Sequence, residues 1–269
     1  MINMKPIKRS KYRIALGKAW YTYTRYFEWC LNNKKYSANK DENYLPYLVY
    51  QHRTPLLRKL KNVEMWMQYN KVVNLKIASK CINKIIIKPK ETFSYWKLIG
   101  KPDKRKGYLD GMVLYNGGFK PGVGGGLCQL SNLIYWMTLH SPLEVVERHR
   151  HSFDVFPDSN RKLPFGSGAT CVYNYRDLQI YNGTGMTFQL IIYLDDEYLY
   201  GELRASSEIE QTYEVYEKNH HITHEFWGGY IRHNEIYKRV FYPQGYEVEA
   251  LVTENHAIMM YQPFLENKN

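Results

Sequence analysis

The spacing of apolar residues changes once along this chain, and that change sets its fold class. Up to about residue 140, three segments repeat at helical spacing; beyond it nearly every apolar run is short, β-branched or alternating. Over residues 15–31, Leu16, Tyr23, Phe27 and Cys30 share a helix face. Residues 70–85 repeat through Val73, Ile77 and Cys81, then pass into the strand-forming run 85–87, which Pro89 stops. Residues 127–140 place Leu130, Leu133, Ile134 and Met137 on one stripe, ended by Ser141-Pro142. Strands are then expected at 144–147, 169–173, 178–181, 187–194 and 198–205, with turn signals at Asn182-Gly183 and Asp195-Asp196. Glycines at 107, 111, 117 and 118 flank a further short strand near 112–115. The fold class predicted is α+β, with helices mainly in the N-terminal half and a predominantly antiparallel sheet in the C-terminal half.

The polar stretch 36–50, broken at Pro46, reads as a linker. It predicts a basic aromatic helical arm over 1–45, a core domain over 46–205 and a β-rich extension over 206–269 packed on that core. Charge follows the same division. Residues 1–60 carry 13 Lys and Arg against 3 Asp and Glu, which accounts for ten of the eleven net positive charges. A basic excess confined to one aromatic segment argues against a specific nucleic-acid surface over the whole chain. It suits an ordinary solvated helix face, or contact through residues 1–35 with an anionic membrane surface or an anionic polymer such as nucleic acid.

No run approaches the roughly 20 apolar residues of a bilayer-spanning helix. Lys18 interrupts the segment after Arg13 before an export-signal core develops. The expectation is a chain that is cytoplasmic or peripheral at the membrane. Four scattered cysteines with no CxxC pair give neither a disulfide framework nor a structural metal site.

The chemistry concentrates in one run, Pro121 to Ser131. Gly124, Gly125 and Gly126 precede Cys128 in the first turn of a predicted helix, where unpaired amides and the macrodipole favour an anion. On that reading the Cys128 pKa is lowered and the glycine amides are free to form an oxyanion hole. His149 and His151 lie on what reads as the end of a strand, where residues two apart point the same way. Both imidazoles then face the thiol, one as base, with Asp154 or Asp177 as orienting carboxylates. A lone cysteine on an apolar helix is also an ordinary packing residue, and a glycine run is also an ordinary turn. A thiol catalyst and a non-catalytic carboxylate-binding module, built on the glycine amides and Arg148, therefore both remain open.

Other motifs fail. His220 to Glu225 matches no zinc-helix pattern and sits in a strand-like context. The glycine run lacks the Gly-Lys-Ser/Thr of a phosphate loop and the third glycine of a dinucleotide fingerprint, so no cofactor and no metal are predicted.

The strings 122–131 (GVGGGLCQLS) and 145–152 (VVERHRHS), with 74–78, 88–94, 168–170 and Asp177-Leu178, resemble the VanW family. The resemblance covers roughly residues 70–185. It implies a role near glycopeptide resistance and the cell wall, with a peptide or cell-wall precursor as partner. Some larger VanW-domain proteins are associated with L,D-transpeptidation. Transferred to this sequence, that implies Cys128 as nucleophile, His149 or His151 as base, and Arg148, Gln129 and Ser131 around the substrate.

Overall fold

The computed structural model describes residues 10–60, 63–115, 117–157 and 163–263. The chain begins with α1 (Lys11–Leu31), capped by the Ser10 hydroxyl accepting the Arg13 amide at 3.3 Å. Two strands follow, β1 (Lys35–Tyr36) and β2 (Tyr47–Pro55), then α2 (Met65–Ile82) and β3 (Ile85–Ile87). Next come β4 (Glu91–Ser94), α3 (Tyr95–Ile99), the hairpin β5 (Asp110–Tyr115) and β6 (Gly118–Val123), and α4 (Cys128–Leu139). The remainder is strand: β7 (Glu144–Glu147), β8 (Phe153–Asp154), β9 (Gln179–Tyr181), β10 (Phe188–Leu194), β11 (Tyr198–Ala205), β12 (Thr212–His224), β13 (Tyr230–Phe241) and β14 (Glu247–Met259). The class is α+β, with the helices early and the antiparallel strands late.

Three four-stranded sheets form, in the orders β1-β4-β9-β7, β2-β11-β10-β3 and β12-β13-β14-β8. All pairings are antiparallel except β1 with β4 and β8 with β14. Helix α4 packs against β2 and β11 of the second sheet and β7 of the first. Leu130, Leu133, Ile134 and Met137 are buried as the spacing predicts, and so is most of the remaining helix surface. Each such Leu or Ile contributes about 1.5–3 kcal/mol by burial. The close approach of α4 to β11 requires Gly201, where a Cβ would stand 2.7 Å from the Met137 methyl.

Four local expectations need correction. The face of α2 that enters the core carries Met67, Leu75, Ala78 and Ile82; Ile77 and Cys81 pack half-buried at its edge, and Val73 is exposed. The polar Lys71 and Asn74 interrupt the true stripe and hide it in the sequence. The stretch 36–50 is no free linker: Tyr36 belongs to β1, β2 starts at Tyr47, and the buried Gln189 side chain bonds the backbone of Asp41, Asn43 and Leu45. Residues 169–173 form no strand, because the Ala169 amide goes to the Asn132 side chain and the Thr170 amide to the His149 carbonyl. Asn182-Gly183 joins strands of different sheets, so it closes no hairpin; the Asn182 side-chain amide instead donates to the Ile87 and Met186 carbonyls.

Candidate functional site

Between α1, α2, the β6–α4 junction and segments 150–157 and 163–176 lies a cleft of about 860 Å³. Cys128 opens α4 on its wall, with Gln129 beside it, and Gly124, Gly125 and Gly126 form the adjoining rim. The local fold explains the glycines through packing. A Cβ on Gly125 would fall 2.1 Å from the Gly111 carbonyl carbon, and Gly124 and Gly126 hold φ of +75° and +89°. Asn74, fully buried, ties the run down by donating to the Gly125 and Leu109 carbonyls, each at 3.0 Å, while accepting the Leu109 amide at 2.8 Å.

The amide donors expected here are partly spent. Gly124 N–H donates to Leu109 O at 3.0 Å and Gly125 N–H to Gly122 O at 2.9 Å. The Cys128 thiol also departs from expectation. Burial pushes its pKa up, not down, and it donates weakly to the Cys171 carbonyl at 3.8 Å. Desolvation is the largest cause, and the backbone hydrogen bonds at Cys171 and Cys128 oppose it more weakly. No hydrogen bond joins Cys128 to an imidazole among the described residues.

The two histidines part company. Strand β7 ends at Glu147, so the alternation that would aim both imidazoles the same way does not extend to 149 and 151. His149 Nε2 lies 3.0 Å from the Glu147 carboxylate and does not line the cleft. His151 does line it. Enclosure by the cleft walls, helped by the Arg176 charge, lowers the His151 pKa to about 4, so its imidazole is neutral at pH 7.

Arg148 is likewise turned away. Its guanidinium donates to the Gly168 carbonyl at 2.9 Å, to the Gly166 carbonyl and to Thr253 Oγ1 at 3.0 Å, and stacks over Tyr135. It therefore holds the loop 166–168 rather than an external carboxylate. Ser131, fully buried, donates to the Ala169 carbonyl at 2.7 Å. Both expected orienting carboxylates are engaged by other groups. Asp154 accepts from Tyr261 at 2.8 Å and pairs with Arg232 at 3.4 Å. Asp177 accepts from Ser94 and from the Trp96 amide, anchoring α3, and burial raises its pKa to about 7. The carboxylate that does meet an imidazole is Glu147, which also receives Arg25 at 2.5 Å and the Asp177 amide at 3.0 Å. Burial alone would raise its pKa, but His149, Arg25 and that amide outweigh burial and hold it low.

The sequence reading missed the charge of the cleft. Lys18, Arg58, Lys71, Lys101, Arg150 and Arg176 all line it, and among the described residues its one carboxylate is Asp154, already engaged. Lys71 is the most constrained of the six. Only 7% exposed, it donates to Gln68 Oε1 at 2.8 Å and meets no carboxylate among the described residues. Burial, with the Arg58 charge, lowers its pKa to about 8, so at neutral pH it remains a desolvated cation. A lysine four residues from Met67 and four from Leu75, inside a buried helix stripe, was the available signal. Apolar walls from Met67, Leu127, Phe153, Phe156 and Phe165 complete a site suited to an amphiphilic anion.

A family model described as "VanW like protein" matches residues 70–204, half of the chain. Over 180 residues the chain is 38% identical to the Vancomycin B-type resistance protein VanW of Enterococcus faecalis, covering 67% of this chain and 66% of that protein. Over 109 residues it is 29% identical to the Uncharacterized protein YoaR of Bacillus subtilis, covering 40% of this chain and 34% of that one. The chain thus spans just under two thirds of the first relative's length and about a third of the second's. No solved structure matches it. The matched residues include the glycine run, Cys128, Lys71 and the segment 145–152, and the chain belongs to the VanW-like family.

Proposed function

We propose that this protein binds an anionic cell-wall peptide or precursor in the cationic cleft, as a non-catalytic module serving glycopeptide resistance. The observation that carries the reading is Lys71, a buried ammonium in the cleft wall that meets no carboxylate among the described residues. A buried unpaired cation is costly to the free protein, and a ligand carboxylate or phosphate relieves that cost on binding. Arg150 and Arg176 extend the positive potential along the cleft, and the Enterococcus faecalis relative, by name a vancomycin resistance protein, supplies the context from which a cell-wall ligand is inferred. Equilibrium dialysis of muropeptides against wild type and Lys71→Met tests it. Binding that Lys71→Met weakens at least tenfold supports the reading, and equal retention by both proteins removes it.

A second reading rests on Cys128 and His151 sharing the cleft wall. There the Cys128 sulfur attacks a stem-peptide carbonyl, the carbon–nitrogen bond breaks, and the thiol proton passes to the leaving amine through the neutral His151 imidazole. The resulting thioester is then resolved by a second amine or by water. The raised thiol pKa weighs against it. Incubating wild type and Cys128→Ser with muropeptides and measuring intact masses decides between the two. An acyl adduct or turnover present in wild type and absent in the variant selects catalysis, whereas binding by Cys128→Ser without any adduct in wild type selects the binding module.

A further inference from the structure

Helix α1 is docked on the body by one face alone. Arg25 reaches Glu147, Tyr26 Oη lies 2.9 Å from Tyr173 Oη, the Thr22 carbonyl accepts from Asn174 and Trp29 packs near Tyr173. The opposite face carries Leu16, Trp20, Tyr23, Phe27 and Leu31 at spacings of four, three, four and four residues, which is one continuous stripe. These side chains are 72%, 71%, 65%, 61% and 71% exposed, with no described residue covering them. A stripe of this size on an exposed helix marks an interaction surface.

Charge selects the occupant. Lys11 and Arg13 stand at the N-terminal end of the stripe and form no ion pair with a described residue; Lys34 and Lys35 follow its C-terminal end. Lys5, Lys8 and Arg9 precede the helix in sequence. The only acid of α1, Glu28, faces inward toward Arg25 and Lys34. A second copy packed stripe to stripe would set basic ends against basic ends in either orientation. An anionic bilayer surface is complementary to both features: it takes Leu, Phe and Trp into the acyl boundary, seats Tyr and Trp at headgroup level, and attracts the flanking Lys and Arg.

We infer that the protein docks peripherally on anionic membrane surfaces through the Leu16–Trp20–Tyr23–Phe27–Leu31 face of α1. Lys18, Thr22 and Tyr26, on the other side of the same helix, line the cleft. Docking therefore holds the cleft one helix diameter, roughly 10 Å, from the membrane surface, and with the cleft reading above this favours a ligand presented near that surface. The docking itself does not depend on that reading.

The test is vesicle co-sedimentation of the full chain with phosphatidylcholine alone and with phosphatidylcholine plus phosphatidylglycerol, without added ligand. Wild type is expected to pellet with the anionic vesicles and stay in the supernatant with the neutral ones. Trp20→Ser combined with Phe27→Ser should lower partitioning at least about tenfold with an unchanged melting temperature, since both side chains are exposed. Lys71→Met should pellet as wild type does, which separates a failure of docking from a failure of the cleft. The inference is overturned if wild type ignores anionic vesicles, if the double variant binds them equally well, or if sedimentation velocity shows a dimer that the double substitution dissociates in the absence of vesicle binding.

Discussion

The stem of Lys71 lies across the backbone of Gly126: a Cβ there would stand 2.2 Å from the lysine Cγ. The glycine run of the family motif and the buried cation of α2 are therefore one construction. Only a residue without a side chain, held at φ +89°, lets the lysine lie over the β6–α4 junction beside Cys128. This places opposite demands on stability and binding.

Lys71→Met removes a desolvated charge and keeps a stem of similar length. At pH 7 it should raise unfolding free energy by about 1–4 kcal/mol while abolishing affinity for anionic ligands. Urea denaturation combined with ligand titration reads both. Gly126→Ala forces the lysine stem aside at a backbone angle unfavourable to alanine, and should cost about 1–3 kcal/mol and weaken binding as well.

The same lysine sets a pH signature. The unfolded chain keeps the Lys71 proton up to about pH 10.5, whereas the folded protein releases it near pH 8. Between those values the unfolded state binds more protons, so stability rises with pH through that window. Ligand affinity runs the other way and falls as pH passes 8, because the neutral amine no longer attracts an anion. Affinity measured from pH 7 to 9.5 for wild type and Lys71→Arg checks it. The arginine variant should lose the decline, since its guanidinium stays charged.

Docking of α1 hangs on Arg25, which is 8% exposed and bridges Glu28 at 2.6 Å and Glu147 at 2.5 Å. Arg25→Met leaves the Glu147 carboxylate in place without its cation and should cost about 3 kcal/mol. Differential scanning calorimetry detects the loss. A quenchable increase in Trp29 exposure should accompany it, because that ring rests against Tyr26 and Tyr173.

Across β12, β13 and β14, His221, His233 and His256 stand side by side in register, with the His233 and His256 Nδ1 atoms 2.7 Å apart and His221 stacked on His233. Partial burial and then the neighbouring His221 and His256 lower the His233 pKa; Glu225 and Glu254 oppose the effect more weakly. The unfolded chain then takes up a proton at that position near pH 6.5, before the folded state does. Stability should fall as pH drops through that value, and His233→Asn should flatten the fall. Denaturation midpoints at pH 7.5 and 5 compare the two proteins.

What the sequence disclosed and what it withheld follow one division. Periodicity located α1, α2 and α4 because their apolar residues repeat, and it located β10 and β11 because β-branched and aromatic residues cluster there. It could not assign the buried face of α2, since Lys71 and Asn74 sit inside that face and read as solvent-facing. It put Leu16, Tyr23, Phe27 and Cys30 of α1 on one face; the exposed stripe holds the first three together with Trp20 and Leu31. Around the site, Cys128, Gln129 and His151 were legible from the motif, and the structure brings all three to one cleft. Arg148 and His149 read as a substrate contact and a candidate base, whereas in the structure they bond Gly168 and Glu147, partners the motif does not specify. Arg150 and Arg176 carry no local signal, and only the fold brings them to one cleft.

The central claim is that the cleft recognises an anion through Lys71. Isothermal titration of wild type and Lys71→Met with one stem peptide, supplied with its terminal carboxylate free and with it amidated, tests this most directly. The account predicts binding of the free acid by wild type, at least tenfold weaker binding of the amide, and no discrimination between the two by Lys71→Met. Equal affinity of wild type for acid and amide, or unaltered discrimination in Lys71→Met, contradicts it.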